Sequence, residues 1–154
     1  EDGGMFPLRL QRTVGPDPTE EILPKTHLAT DEASRAHGFM FRDHIDEVEG
    51  MLFQFDNAGR VAMWMKDTTV PLDVGYFSKD GSLREVLALQ PLDLAVRPSR
   101  RTDIKYALEV PQGYFKRHHL DPDGAKIDLT VLANHRRKGR GADEVVDFLP
   151  SVRA

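Results

Sequence analysis

Leu72-Asp73-Val74-Gly75-Tyr76-Phe77-Ser78, then Lys79-Asp80-Gly81-Ser82, then Leu83-Arg84-Glu85-Val86-Leu87-Ala88-Leu89 is the stretch that decides the architecture. Two apolar runs of strand length flank an Asp-Gly pair, which supplies the positive φ angles that tight hairpin turns demand. The reading is an antiparallel hairpin over 72–89. Upstream, Met51 to Phe55 is a short apolar strand, Asp56-Asn57-Ala58-Gly59 a turn, and Val61 to Lys66 a further strand. Downstream, Pro91 to Arg101 holds two prolines and four separated charges without a period and is expected to be a long loop. Ile104, Tyr106, Leu108 and Val110 then alternate with Lys105, Ala107 and Glu109, the pattern of a half-exposed strand. Gln112 to His119 reads as a helical turn, Asp121-Pro122-Asp123-Gly124 as a turn, and Lys126 to Leu132 as the closing strand.

Toward the amino terminus, Phe6, Leu8, Leu10 and Val14 alternate with polar residues as a strand, and Pro7 points to a sheet edge. Gly15 to Glu20 carries two prolines and reads as a linker. A second extended piece, Ile22 to Ala29, leads to Thr30, a candidate cap for a helix that should stop at Gly38. The expected organisation is an edge strand and linker over 1–21, one mainly β domain over 22–132, and a tail over 133–154. That tail carries a basic run, His135 to Arg140, and a short amphipathic stretch, Asp143 to Leu149.

The chain has 154 residues, 21 Lys+Arg against 25 Asp+Glu for a formal net charge of −4, 40% apolar residues and no cysteine. A chain of this size hides roughly 69% of its unfolded surface, enough for one self-supporting core. Without cysteine, disulfide frameworks, thiol catalysis and thiolate-bound metals are excluded. No apolar run approaches the length of a membrane-spanning helix, and a pI near 5.9 gives no footprint for nucleic-acid binding. No nucleophile elbow, phosphate loop or dinucleotide fingerprint occurs. The chain opens on Glu1 rather than Met, as either a processed mature form or a trimmed chain would, with any targeting segment removed from view.

Gly38-Phe39-Met40-Phe41-Arg42, Gly50-Met51-Leu52-Phe53, Trp64-Met65-Lys66-Asp67-Thr68 with Pro71-Leu72-Asp73, and Leu108-Glu109-Val110 with Gly113 together resemble the domain of unknown function 192 family, also called uncharacterised protein family 0127. The resemblance runs from about residue 22 to 131. Departures are Phe39 in place of the usual Leu, Asp67 in place of Asn, and Asp123-Gly124 where Gly-Asp is usual. The change at Asp67 bears on chemistry, since an amide donates and accepts whereas a carboxylate only accepts. The resemblance implies a compact, mainly β fold with one or two short helices and an extracytoplasmic setting. It brings no catalytic residue, substrate or cofactor.

The candidate ligand-binding residues are Trp64, Met65, Lys66, Asp67, Thr68, Asp73, Arg42 and Glu109. Trp64 and Met65 would form an apolar wall, with Lys66, Asp67 and Thr68 orienting a ligand at a turn that Pro71 ends. The structural alternative has Asp67 and Asp73 accepting bonds from turn N–H and Thr hydroxyl groups. Arg42 is expected to clasp Glu109 or Asp73. Asp73 and Glu109 facing each other across a cleft would instead make a carboxylate pair for glycoside or ester hydrolysis.

His118-His119 with Asp121 and Asp123 fails as a calcium loop, because His119 and Thr130 occupy positions that need Asp and Glu. His37 and His44 read as surface residues, and the acidic run Asp43 to Glu49 as a solvated segment. No metal and no cofactor are expected. The expectation is thus a small curled antiparallel sheet or barrel-like domain of seven or eight strands, mainly β with minor α. It would serve as an extracytoplasmic non-catalytic module binding a small polar ligand or a protein partner beside the Trp64–Asp73 turn. The alternatives are the carboxylate-pair hydrolase and a scaffold that interacts through its carboxy-terminal tail.

Overall fold

The computed structural model describes residues 4–130, 132, 151 and 152. Its strands are β1 (Phe6–Arg12), β2 (Glu20–Ala29), β3 (Glu49–Gly59), β4 (Val61–Met63), β5 (Leu72–Ser78), β6 (Leu83–Leu89), β7 (Arg97–Pro98), β8 (Ile104–Pro111), β9 (Ala125–Ile127) and β10 (Ser151–Val152), with short helices α1 (Glu32–His37) and α2 (Tyr114–Arg117). Seven strands form one sheet in the order β6-β5-β8-β3-β2-β1-β9, and β10-β4-β7 form a small second sheet. The hairpin over 72–89 has the expected bounds: β5 and β6 pair from Leu72↔Leu89 to Phe77↔Leu83. Asp80 secures its turn by accepting from the Ser82 N–H and the Ser78 hydroxyl.

The sheet curls until its two edges meet. Ser82 of the hairpin turn bridges Lys126 of β9, the Gly81 carbonyl accepts from Ile127 N–H at 2.9 Å, and the Leu83 carbonyl accepts from Asp123 N–H at 2.7 Å. A half-barrel results. Leu8, Leu10, Leu23, Leu52, Phe77, Leu83, Leu108, Val110, Phe115 and Ile127 fill one core inside the curl. A second core lies on the outer face, where Phe39, Ile45, Val61, Met63, Met65 and Val70 cover Phe53, Phe55, Leu72, Val74, Tyr76 and Ala107. Both faces of the central strands are therefore buried.

That double cover corrects the reading of β8 as half exposed. Tyr106 to Val110 are all buried because the strand lies between β3 and β5. Val61 to Lys66 is a strand only to Met63, since β4 pairs with β7 and β10 rather than continuing the large sheet. Asp56 to Gly59 does not end β3; the strand absorbs these residues as an irregularity between Gln54↔Tyr106 and Gly59↔Ile104. The loop after Pro91 contains β7. The closing strand stops at Ile127, because the Asp128 carboxylate accepts from Thr130 N–H at 2.9 Å and starts a helical turn there. The basic run 135–140 and the stretch 143–149 lie outside the described residues.

Pro7 falls where β9, which pairs only with Leu10 to Arg12, no longer covers β1, so the edge expectation holds locally. Among strand neighbours of the large sheet only β2 and β3 are parallel. A parallel pair needs a crossover, and residues 30–48 supply it. Its helix is capped by Asp31, not Thr30: the Asp31 carboxylate accepts from Ser34 N–H at 2.8 Å while the Ser34 hydroxyl accepts from Asp31 N–H at 3.3 Å. Gly38 ends it at φ 50°. No described helix is long and apolar enough to cross a membrane.

Candidate functional site

After β4 the chain turns sharply. Thr68 N–H donates to Met65 O at 3.1 Å, the Thr68 hydroxyl donates to Lys66 O at 2.9 Å, and Asp67 takes φ 53°. Asp and Asn tolerate this left-handed conformation better than other non-glycine residues. Asp67 thus meets the backbone demand that the family's usual Asn would meet, whatever its side chain adds.

Two other loops are wired to this turn. Phe41 N–H donates to Asp67 O at 2.8 Å, Leu92 N–H to Thr68 O at 2.9 Å, and Met65 N–H to Asp93 O at 2.9 Å. The Thr69 hydroxyl donates to Arg42 O at 3.1 Å. Phe41 and Leu92 also have positive φ, 66° and 63°, so three of the five such non-glycine residues described meet at one corner. Both are bulky and face solvent, Phe41 at 74% and Leu92 at 57% exposure. A left-handed L-residue costs roughly 1–2 kcal/mol, and these two side chains recover little of it by burial.

Behind the corner, the crossover is clamped to the sheet. Arg42 Nη2 donates to both carboxylate oxygens of Glu49, at 3.1 and 3.0 Å, and Asp46 N–H donates to Glu49 Oε1 at 3.1 Å. His27 Nε2 lies 2.7 Å from Glu49 Oε2; a carboxylate only accepts, so this nitrogen carries the proton. Burial pushes the Glu49 carboxyl up, but hydrogen bonds from His27, Asp46 N–H and Arg42 together hold it below its ordinary value. Phe39, fully buried, packs edge-on to His27 and beneath the Arg42 guanidinium. Lys25 pairs with Asp46 at the rim.

The sequence-derived candidates divide between this corner and the interior. Lys66 and Asp67 are exposed, and the Lys66 ammonium lies 6.0 Å from the centre of the half-buried Trp64 ring. Met65 and Thr68 are buried and hold the turn rather than line a surface. Arg42 is at the corner, but its partner is Glu49, not Asp73 or Glu109.

Asp73 pairs in register with Val110 of the inner core, while Glu109 pairs with Val74 of the outer core. Side chains alternate along a strand, so Asp73 and Glu109 project from opposite faces of the sheet. They do not converge, and this pair cannot act as acid and base. Asp73 accepts from Gly113 N–H at 2.8 Å. Its carboxyl is raised by burial, against the opposing pull of that bond and of Arg117.

His37 and His44 are exposed as expected, and the run Asp43 to Glu49 is solvated at Asp43, His44, Glu47 and Val48 but not at Ile45, which is buried, or at Glu49, which is only 5% exposed. Sequence reasoning missed His27, Glu49, Phe41 and Leu92. Among the described residues no group of three or more His, Cys, Asp or Glu is placed to hold a metal ion.

The solved structures bear on the fold and a family model on the family. A proposed transcription regulator from Sinorhizobium meliloti shares 29% sequence identity and superposes with a TM-score of 0.69, the match covering 83% of this chain and 97% of that one. A protein of unknown function from Novosphingobium aromaticivorans, at 24% identity and the same TM-score, is matched over 82% and 87% of the two chains and shows the fold alone. No curated protein matches. Residues 16–129 match DUF192, described as "Uncharacterized ACR", and the protein belongs to that family.

Proposed function

We propose that this protein is an extracytoplasmic, non-catalytic binding module whose recognition surface is the corner where the Phe41, Asp67 and Leu92 backbones meet. The observation that carries the reading is the convergence of three left-handed non-glycine residues, two with large side chains turned to water. Backbone strain and apolar exposure both oppose stability, and their coincidence is characteristic of ligand clamps. Lys66, Asp67, Arg42 and the Trp64 ring add the polar and aromatic groups that would orient a small polar ligand or a partner. The clamp through Glu49 keeps this surface preorganised. The extracytoplasmic setting rests on the family resemblance and on the cysteine-free sequence.

A thermal-shift screen of sugars and amino acids tests the reading, because a ligand that binds only the native state raises the melting temperature. A ligand that shifts the wild type and shifts Lys66→Ala and Phe41→Gly less supports it. Equal shifts in all three proteins would move the site elsewhere.

A further inference from the structure

The curl of the large sheet leaves one edge unfinished. β6 ends the strand order and pairs along its length only with β5. The opposite edge is stitched to it near the hairpin turn alone, where Ser82 bridges Lys126 and the Leu83 carbonyl accepts from Asp123 N–H. At the far end Gln112 Nε2 donates to the Leu89 carbonyl at 3.4 Å. Between these points, no backbone group of Arg84 to Ala88 bonds a described residue other than those of β5. In an antiparallel ladder alternate residues turn their N–H and C=O groups away from the paired neighbour, so this run presents donors and acceptors in strand geometry, a template for another strand.

The side chains leave that row approachable. Val86 is half-buried against the inner core, Leu87 half-buried against the outer one, and Ala88 is exposed. Glu85 is buried, its carboxylate accepting from the N–H groups of Arg100 and Arg101 at 2.9 and 3.0 Å. Sheet edges are ordinarily guarded by lysine, proline, a bulge or shortness. The other edge uses these devices: β9 is three residues long with Lys126 at its middle, and β1 carries Pro7 where β9 no longer covers it. On β6 the guard is confined to Arg84, the extra residue at the register shift, which Ser78 Oγ and the Asp123 carboxylate hold over the hairpin turn. Val86-Leu87-Ala88 has none.

The strand that this run fits is its own. Two copies that extend one sheet about a two-fold axis place residues of the same face opposite each other, so the axis passes through a residue, and the axis that uses the whole run passes through Val86. Val86 then faces its counterpart, Glu85 faces Leu87, and Arg84 faces Ala88. No like charges are opposed, an apolar pair stands at the centre, and the half-buried Val86 and Leu87 gain cover on opposite faces. We infer that β6 pairs antiparallel with β6 of a second copy about a two-fold axis at Val86, joining two seven-stranded sheets into one. The inference stands apart from the reading of the corner. It does give that corner a use in duplicate, since a pair of copies holds a partner with two matching sites at a raised effective concentration.

Analytical ultracentrifugation of the full chain over a range of concentrations tests the association, and a cysteine-free sequence lets one introduced thiol report the register. The expected result is a reversible doubling of mass as concentration rises. Ala88→Lys, at an exposed position, puts a guarding charge on the edge and should raise the dimer dissociation constant at least tenfold without lowering the melting temperature of the dilute protein. Val86→Cys, oxidised with copper phenanthroline, should give a disulfide-linked dimer, because directly opposed Cβ atoms stand about 4.5–5.5 Å apart. Ala88→Cys should give little, since four residues of offset separate it from its counterpart by roughly 13 Å.

A wild type that stays monomeric at every concentration overturns the inference, as does a dimer that Ala88→Lys leaves unchanged or one that cross-links at position 88 and not at 86. Slow amide exchange across Arg84 to Ala88 in a monomer would mean that the chain itself fills the edge, and the inference falls equally.

Discussion

Arg42 Nη2 grips both oxygens of Glu49 across the gap between the crossover and β3. The contact joins the loop that presents Phe41 to a strand in the middle of the sheet. Glu49→Gln should cost about 2 kcal/mol, the scale of hydrogen bonds to a charged group, because the amide keeps the volume but loses the charge facing Arg42 and His27. Arg42→Met should cost less, since Arg42 is partly solvated. A double-mutant cycle by denaturant unfolding should return a positive coupling energy; additive costs would mean the clamp contributes no pairwise stability.

The same carboxylate gives an acid limb. Its folded-state pKa lies below the ordinary 4.5, so the stability it contributes is complete above that value and is lost as pH falls through the depressed one. Unfolding free energy measured from neutral pH into the acid range should fall less steeply for Glu49→Gln than for the wild type.

Asp73 has the opposite sign. Burial raises its pKa above 3.8, so the folded state holds its proton longer than the unfolded chain and stability declines as pH rises from 3.8 through the raised value. Asp73→Asn keeps an oxygen to accept from Gly113 N–H and removes the buried charge. Its stability at neutral pH should equal or exceed that of the wild type, with a flatter profile over that interval. A marked loss at neutral pH would show that the charge is needed.

Phe39 and Phe41, close in sequence, should behave in opposite ways. Phe39 is fully buried under Arg42 and beside His27, and Phe39→Ala should cost about 3–5 kcal/mol. Phe41→Gly removes an exposed aromatic ring and relieves a left-handed backbone, against the extra unfolded-state freedom of glycine. Its unfolding free energy should stay within about 1 kcal/mol of wild type. A loss comparable to that of Phe39→Ala would mean the Phe41 ring is structural.

Gly50 is fixed by a different constraint. A Cβ there would lie 2.7 Å from Leu23 Cδ2 and 2.9 Å from the Glu109 carbonyl oxygen. One of those neighbours is backbone and cannot yield cheaply. Gly50→Ala should lower stability by about 1–3 kcal/mol, measurable by thermal or chemical unfolding.

Local signals carried the sheet. Asp80-Gly81 and the period of two define the 72–89 hairpin to the residue, and Gly38 marks the helix end, because these features depend on neighbours in sequence. The site is legible only in part. Lys66 and Asp67 stand out beside the single tryptophan, but Glu49 sits at the end of a charged run that resembles a solvated face, and its burial depends on His27 and Arg42 arriving from other elements. Phe41 closes an apolar run with Phe39 and Met40, and nothing in that run marks it as the residue that the left-handed φ at the corner leaves in water. Asp73 and Glu109 read as a pair in composition alone; the β5–β8 register puts them on opposite faces, a parity that composition does not contain.

The parallel pairing of β2 with β3, the one such pair in the seven-stranded sheet, has a consequence for how the molecule assembles. Those strands cannot register until the segment between them has travelled over the sheet, and that segment bears Phe39, Phe41 and Arg42. Joining the two halves of the sheet and erecting the corner are therefore one event. Selection acting on what the corner touches acts at the same time on whether the chain reaches its native topology.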